Sequence, residues 1–132
     1  MTSTDPRSAG SRDWVQGLLA CVDGKDTAGF MAHLHDGASF RFGSQPRVTG
    51  RAAITAAVEG FFAAVRGMRH EVVATWSVPH HSICEGRVTY TRLDGSTVTL
   101  PFVNVLALLG ERVSDYRIYI DPAPLFAPAP AR

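Results

Sequence analysis

Cysteine is scarce in this chain: Cys21 and Cys84 are the two among 132 residues. They stand far apart and share no metal-ligand spacing. That excludes a disulfide framework and a zinc ribbon, and it leaves reduced thiols in a cytoplasmic protein as the expectation. An excess of one charge is also missing. With 13 basic and 12 acidic residues the formal net charge is +1, which supplies no general drive toward nucleic acid or an anionic membrane. No basic cluster is interleaved with aromatics. No apolar run approaches the ~20 residues of a membrane helix, and the first residues lack the apolar core of a secretion signal. Neither a Gly-rich phosphate loop nor a nucleophile elbow is present. The histidines show no metal spacing. His33 and His35 lie two apart at an expected helix end. His80 and His81 are adjacent on a strand and so oppose each other. His70 stands alone and is expected at the surface or a rim. No cofactor and no metal are expected, and neither nucleic acid nor membrane is an expected partner.

What remains is an ordinary globular composition, 45% hydrophobic and 19% charged, of a length that suits one domain with one core. Residues 1–10 and 127–132 are expected to form a disordered lead and tail around a domain at 11–126. Trp14, Leu18, Cys21 and Val22 recur at helical spacing, so a helix is predicted over 11–23, capped by Ser11 and stopped by Gly24. A second, short helix is predicted from Asp26 through Phe30, Met31 and Leu34, broken by Asp36-Gly37. ASFRFGSQPRVTG then predicts two short strands around a turn, with Phe40 and Phe42 on one face. A long helix is predicted over 51–66, with Ile54, Val58, Phe61, Phe62 and Val65 as its stripe. Everything later is predicted β: 68–78, 80–92, 97–109 and a last strand from 112. Asp94-Gly95 is the strongest hairpin signal, and Pro122 and Pro124 end the pairing. Helices followed by an antiparallel meander predict an α+β fold: a cone-shaped curved sheet wrapped around a long helix, with two further N-terminal helices.

This order of elements resembles the nuclear-transport-factor-2-like superfamily, and within it the SnoaL-like group of polyketide cyclases with its epoxide hydrolase and ketosteroid isomerase relatives. The resemblance covers about residues 12–126 and is carried best by FRFGSQPRVTGRAAI and DYRIYIDPAPLF. It implies a pocket between sheet and helices and a homodimer through the sheet's outer face, where Val88, Tyr90 and Val105 are expected. The relatives' catalytic positions match only in part. The epoxide hydrolases' water-holding Tyr and Asn fall on Phe40 and Phe42. Their Arg and Asp on the second long strand fall on Glu85 and Arg87, in reverse order, and their last acid falls on Ile118. Epoxide hydrolysis is therefore not expected. The isomerases' base falls near Phe40 to Phe42 and their donor acid on Asn104; Trp14 lies near the position of their helical Tyr. An amide can serve as an oxyanion donor.

Strand parity and these matches together predict an inward set. It comprises Ile83, Glu85, Arg87, Thr89 and Thr91, then Leu100, Phe102, Asn104 and Leu106, then Tyr116, Ile118 and Ile120. Phe40, Phe42, Leu19, Phe61 and Val65 complete an apolar lining. The catalytic candidates are Glu85, Arg87, Asn104 and Asp121. The substrate-binding candidates are Phe40, Phe42, Phe61, Thr89, Leu100, Phe102, Tyr116 and Ile118. Glu85 and Arg87 are either a dyad inside the cone or exposed and weakly coupled. Asn104 is a pocket donor or a structural amide, and Asp121 an acid/base or an end-of-sheet cap. The expected function is binding of a small hydrophobic molecule. The expected activity is isomerisation, cyclisation or dehydration of a hydrophobic carbonyl, polyketide-like or terpenoid compound by proton transfer. The alternative is a non-catalytic ligand-binding or oligomerisation module.

Overall fold

A computed structural model describes residues 9–127, with side chains from Asp13 onward. The expected lead and tail lie largely outside the described residues. The elements run α1 (Ala9–Asp23), α2 (Thr27–Ala32), β1 (Leu34–Phe42), β2 (Val48–Thr49), α3 (Arg51–Ala64), β3 (Gly67–Val78), β4 (His81–Thr91), β5 (Thr97–Leu109), β6 (Arg112–Tyr119) and α4 (Ala123–Phe126). The strands form one curved sheet in the order β2-β1-β6-β5-β4-β3. The β1–β6 pair is parallel, and the others are antiparallel. The fold is α+β, as the pattern predicts.

The helices bury the stripes that sequence periodicity marks. Val15, Leu18 and Leu19 of α1 and Ile54, Val58 and Phe62 of α3 are buried. α1 begins at Ala9, ahead of the expected Ser11. It stops where the Gly24 N–H bonds the Ala20 carbonyl at 2.9 Å. Asp26 caps α2 by accepting from the Gly29 N–H at 3.0 Å. α2 then ends two residues earlier than predicted. His33 follows as its C-cap, and its carbonyl accepts from Val113 N–H at 2.8 Å. That bond commits Leu34 to the sheet beside β6, so Asp36-Gly37 fall inside β1, in the irregular stretch between the Leu34 and Ser39 register points. α3 likewise ends early. Val65 is already extended, and Arg66 N–H bonds the Thr91 carbonyl. Strand pairing ends before Pro122, as predicted. The chain then makes the short turn α4, hooked by buried Leu125.

The largest correction concerns β4. Its inner face carries Ser82, Cys84, Gly86, Val88 and Tyr90, all buried, while Ile83, Glu85, Arg87 and Thr89 point the other way. Val88 and Tyr90 are therefore core residues, not part of the outer face. The alternation is real, but both sets contain apolar residues, and the small inner side chains disguise which set is buried. Energetics favour the observed choice, because an inward Glu85 and Arg87 would cost several kcal/mol per ion in desolvation. Arg87 instead meets Glu71 at 3.1 Å on the outside, with the two side chains 56% and 69% exposed, a contact worth at most about 1 kcal/mol.

β3 holds a register irregularity between Val72 and Ala74. The simple alternation expected for this strand breaks there: Met68 and Thr75 are buried, whereas Val73 is half exposed. Gly86 lies directly across from Val72. A Cβ at Gly86 would collide with the Glu71 carbonyl and stand 3.1 Å from Cε1 of Phe102. The missing side chain lets β3 bulge and lets the Phe102 ring settle over β4.

Candidate functional site

Between the inner sheet face, α1, α3 and α4 lies a cavity of about 730 Å³, within the range of small-molecule sites. Its wall is mostly aromatic. Phe40 and Phe42 arrive from β1, Phe61 from α3, Phe102 from β5, and Tyr116 and Ile118 from β6. Ring contacts link them: Phe40 to Tyr116 at 5.4 Å, Phe42 to Phe61 at 5.0 Å and Phe61 to Tyr90 at 5.6 Å. Leu19, Asn104 and Ile120 also line the cavity. Leu100 and Val65 are buried but lie off its wall. Thr89 is turned away; its hydroxyl meets that of Thr99 at 2.8 Å on the outer face. Glu85 and Arg87 are excluded with it.

Asn104 is 2% exposed. Its Nδ2 donates to the Tyr116 hydroxyl at a long 3.5 Å, and its Oδ1 has no hydrogen-bond partner among the described residues. Burial holds the Tyr116 phenol well above its ordinary range, so it stays protonated and can donate. Burial also pushes the Cys84 thiol up to about 11, against the opposing effect of hydrogen bonding to Asn104. A thiol so held is inert as a nucleophile.

Asp121 lies at the exposed mouth. Its Oδ1 accepts from Ala123 N–H at 3.1 Å, so it caps the α4 turn while touching the cavity. Arg92 secures that turn: Nη2 donates to the Pro124 carbonyl at 2.7 Å and Nε to the Leu125 carbonyl at 3.1 Å. The β1–β2 turn at residues 44–46 forms part of the same rim.

One pair escaped the sequence reading. His70 is not at the surface; it lines the cavity, with its side chain 10% exposed and its ring edge-on to Phe102 at 5.1 Å. Nδ1 contacts Asp23 Oδ1 at 2.5 Å, and the His70 backbone N–H donates to Asp23 Oδ2 at 3.0 Å. Both oxygens of one carboxylate thus hold one residue. A carboxylate only accepts, so Nδ1 carries the proton, and Nε2 is the ring nitrogen left to a molecule in the cavity. The available signals were weak. His70 falls in step with Met68 and Val72, and Asp23 sits one turn beyond Leu19. Nothing in the sequence joins positions 47 residues apart. Among the described residues no group of three or more His, Cys, Asp or Glu side chains could hold a metal ion.

A curved sheet closed by helices thus encloses an apolar chamber with a few convergent polar groups. The chain belongs to the SnoaL-like domain family, whose model matches residues 15–116. No curated protein matches the sequence. Among solved structures the chain is similar to an NTF2-like protein of unknown function from Burkholderia pseudomallei: 16% identity, 89% of this chain and 95% of that one covered, TM-score 0.79. It is also similar to TerC co-crystallised with polyporic acid: 17% identity, 89% and 95% covered, TM-score 0.77. A third is a LEH-like epoxide hydrolase from M. tuberculosis: 16% identity, 92% and 90% covered, TM-score 0.74. At these identities the likeness is one of fold.

Proposed function

We propose that this protein is an enzyme that moves a proton on a hydrophobic carbonyl compound, polyketide-like or terpenoid, to isomerise, cyclise or dehydrate it without a cofactor. The observation that carries this reading is the Asp23-held His70 on the wall of an otherwise greasy cavity. Nε2 accepts or returns the proton. Asp23 fixes the tautomer and steadies the imidazolium that forms; proton transfer by a well-placed imidazole is worth about 10²–10⁴-fold in rate. Tyr116, kept protonated by burial, donates to the developing oxyanion. The Asn104 amide donates to the phenol oxygen, which leaves the phenol proton for the ligand. The aromatic wall supplies affinity and excludes water.

The reading is tested by incubating the protein with hydrophobic ketones and β-diketones in D₂O and following loss of the α C–H signal by NMR. His70→Gln should slow catalysed exchange by about 100-fold or more while ligand still binds. Exchange that survives this change removes His70 from its role. Ligands that bind and are recovered unaltered would support a carrier or sensor instead, the reading suggested by apolar Phe40 and Phe42 where isomerase relatives place a base.

We also propose a homodimer through the outer sheet face. Trp76, Val103, Val105 and Tyr119 share that face, with Trp76 37% and Tyr119 54% exposed. An apolar patch of this kind marks an association surface. Sedimentation equilibrium of the native chain and of Val103→Glu tests it; a native monomer would exclude it.

A further inference from the structure

The His70 ring has a second environment. Between α1 and β3 lies a recess of about 180 Å³ lined by Gln16, Leu19, Ala20, Asp23, His70 and Val72. Gln16 and Ala20 are exposed, so the recess opens to solvent beside α1, whereas Asp121 and residues 44–46 lie at the rim of the cavity. Leu19 and His70 belong to both walls. Leucine cannot carry a proton, which leaves His70 as the titratable side chain common to the two chambers. The recess is large enough to admit water. The Asp23 carboxylate, 25% exposed, gives that water a polar wall.

We infer that the recess is a rear proton port, through which His70 exchanges protons with bulk water while a ligand fills the cavity. An apolar ligand expels water from the Nε2 side, so the front route closes when the base is needed. The rear route stays open. When Nε2 takes a proton from the ligand, a C–H bond breaks and an N–H bond forms. The Nδ1 proton then passes along the Asp23 contact to water in the recess, which is lost to bulk as hydronium. In the opposite direction, Nε2–H is given to the ligand and Nδ1 is reprotonated from the recess. Either way one proton moves between ligand and solvent, and the ring regains its resting tautomer through water once product leaves. Asp23 thereby conducts as well as positions.

This inference rests on the reading of His70 as the proton carrier, and its test involves no turnover. Exchange of the His70 Nδ1–H with water is measured by NMR in the resting protein, with and without saturating 2-acetonaphthone, an uncharged aromatic ketone. The exchange rate is expected to be nearly unchanged by the ketone and to fall about ten-fold or more when the recess is filled by Ala20→Phe or, more gently, Ala20→Leu. An exchange rate that collapses on adding the ketone and is indifferent to both variants would overturn the port. That result would leave the proposed role of His70 standing. Conversely, α-exchange surviving His70→Gln would remove that role without bearing on the Nδ1 measurement.

Discussion

Replacing Gly86 by alanine puts the geometry beneath the site to a quantitative test. The added methyl would meet the Glu71 carbonyl across the β3 irregularity and Cε1 of Phe102 at 3.1 Å. One obstacle is backbone in the middle of a ladder and cannot turn aside. The other is a ring packed in turn against His70. The strands must part locally and the ring must tilt. Overpacking of this kind costs about 1–3 kcal/mol. For a domain of this size that corresponds to a fall in Tm of about 3–15 °C. Gly60 is the matched control. It lies exposed in α3, and a Cβ there meets nothing within 4 Å, so Gly60→Ala should stabilise by about 0.5–1 kcal/mol. Urea unfolding of both variants gives the two signs directly. Nuclear shifts of the His70 ring should move in Gly86→Ala and stay fixed in Gly60→Ala. If Gly86→Ala unfolds at the native midpoint with an unmoved His70, the close approach of β3, β4 and Phe102 described above is wrong.

Other outcomes follow from the same contacts. Cys84 has its folded pKa raised from 9.0 to about 11. The native state keeps its proton where the unfolded chain loses it, so stability falls as pH rises from about 9 to 11, by about 2–3 kcal/mol at most. Cys84→Ala should flatten the lower part of that slope in urea titrations, whereas the raised phenols of Tyr90 and Tyr116 add their own fall above pH 10. Asn104→Leu removes an amide whose Oδ1 has no hydrogen-bond partner among the described residues, so stability should change by less than about 1 kcal/mol. Turnover of any identified substrate should drop all the same, because the Tyr116 proton loses its director. A large loss of stability would mark Asn104 as structural. Arg92→Ala should free the α4 turn, lowering stability by about 1–2 kcal/mol and speeding amide exchange at Leu125; unchanged protection there would show that burial of Leu125 alone holds the turn.

The inward faces of β5 and β6 followed from strand parity together with the match of Asn104 to the relatives' donor position. Phe102, Asn104 and Leu106, then Tyr116 and Ile118, fall inward as parity predicts. β4 was misread. Glu85, Arg87 and Thr89 make one side the more polar, but the match to the relatives' catalytic strand placed that side inward, and the buried side is thinned by Ser82 and Gly86. A one-residue shift in phase moves every side chain to the other face, so Glu85 and Arg87 were assigned to a chamber they never enter. The end of α2 was likewise decided from outside, by the bond between His33 and Val113.

Hydrophobic period, capping residues and turn signals act over a few neighbours. They determined by themselves the order of elements, the α+β class and the aromatic lining drawn from single strands and helices. Which charged groups are sheltered depends on how distant segments meet. The Asp23 carboxylate and the His70 ring share no local pattern. They came together only when the last turn of α1 was laid across β3, because that packing buries Leu18 and Leu19 and carries Asp23 with them.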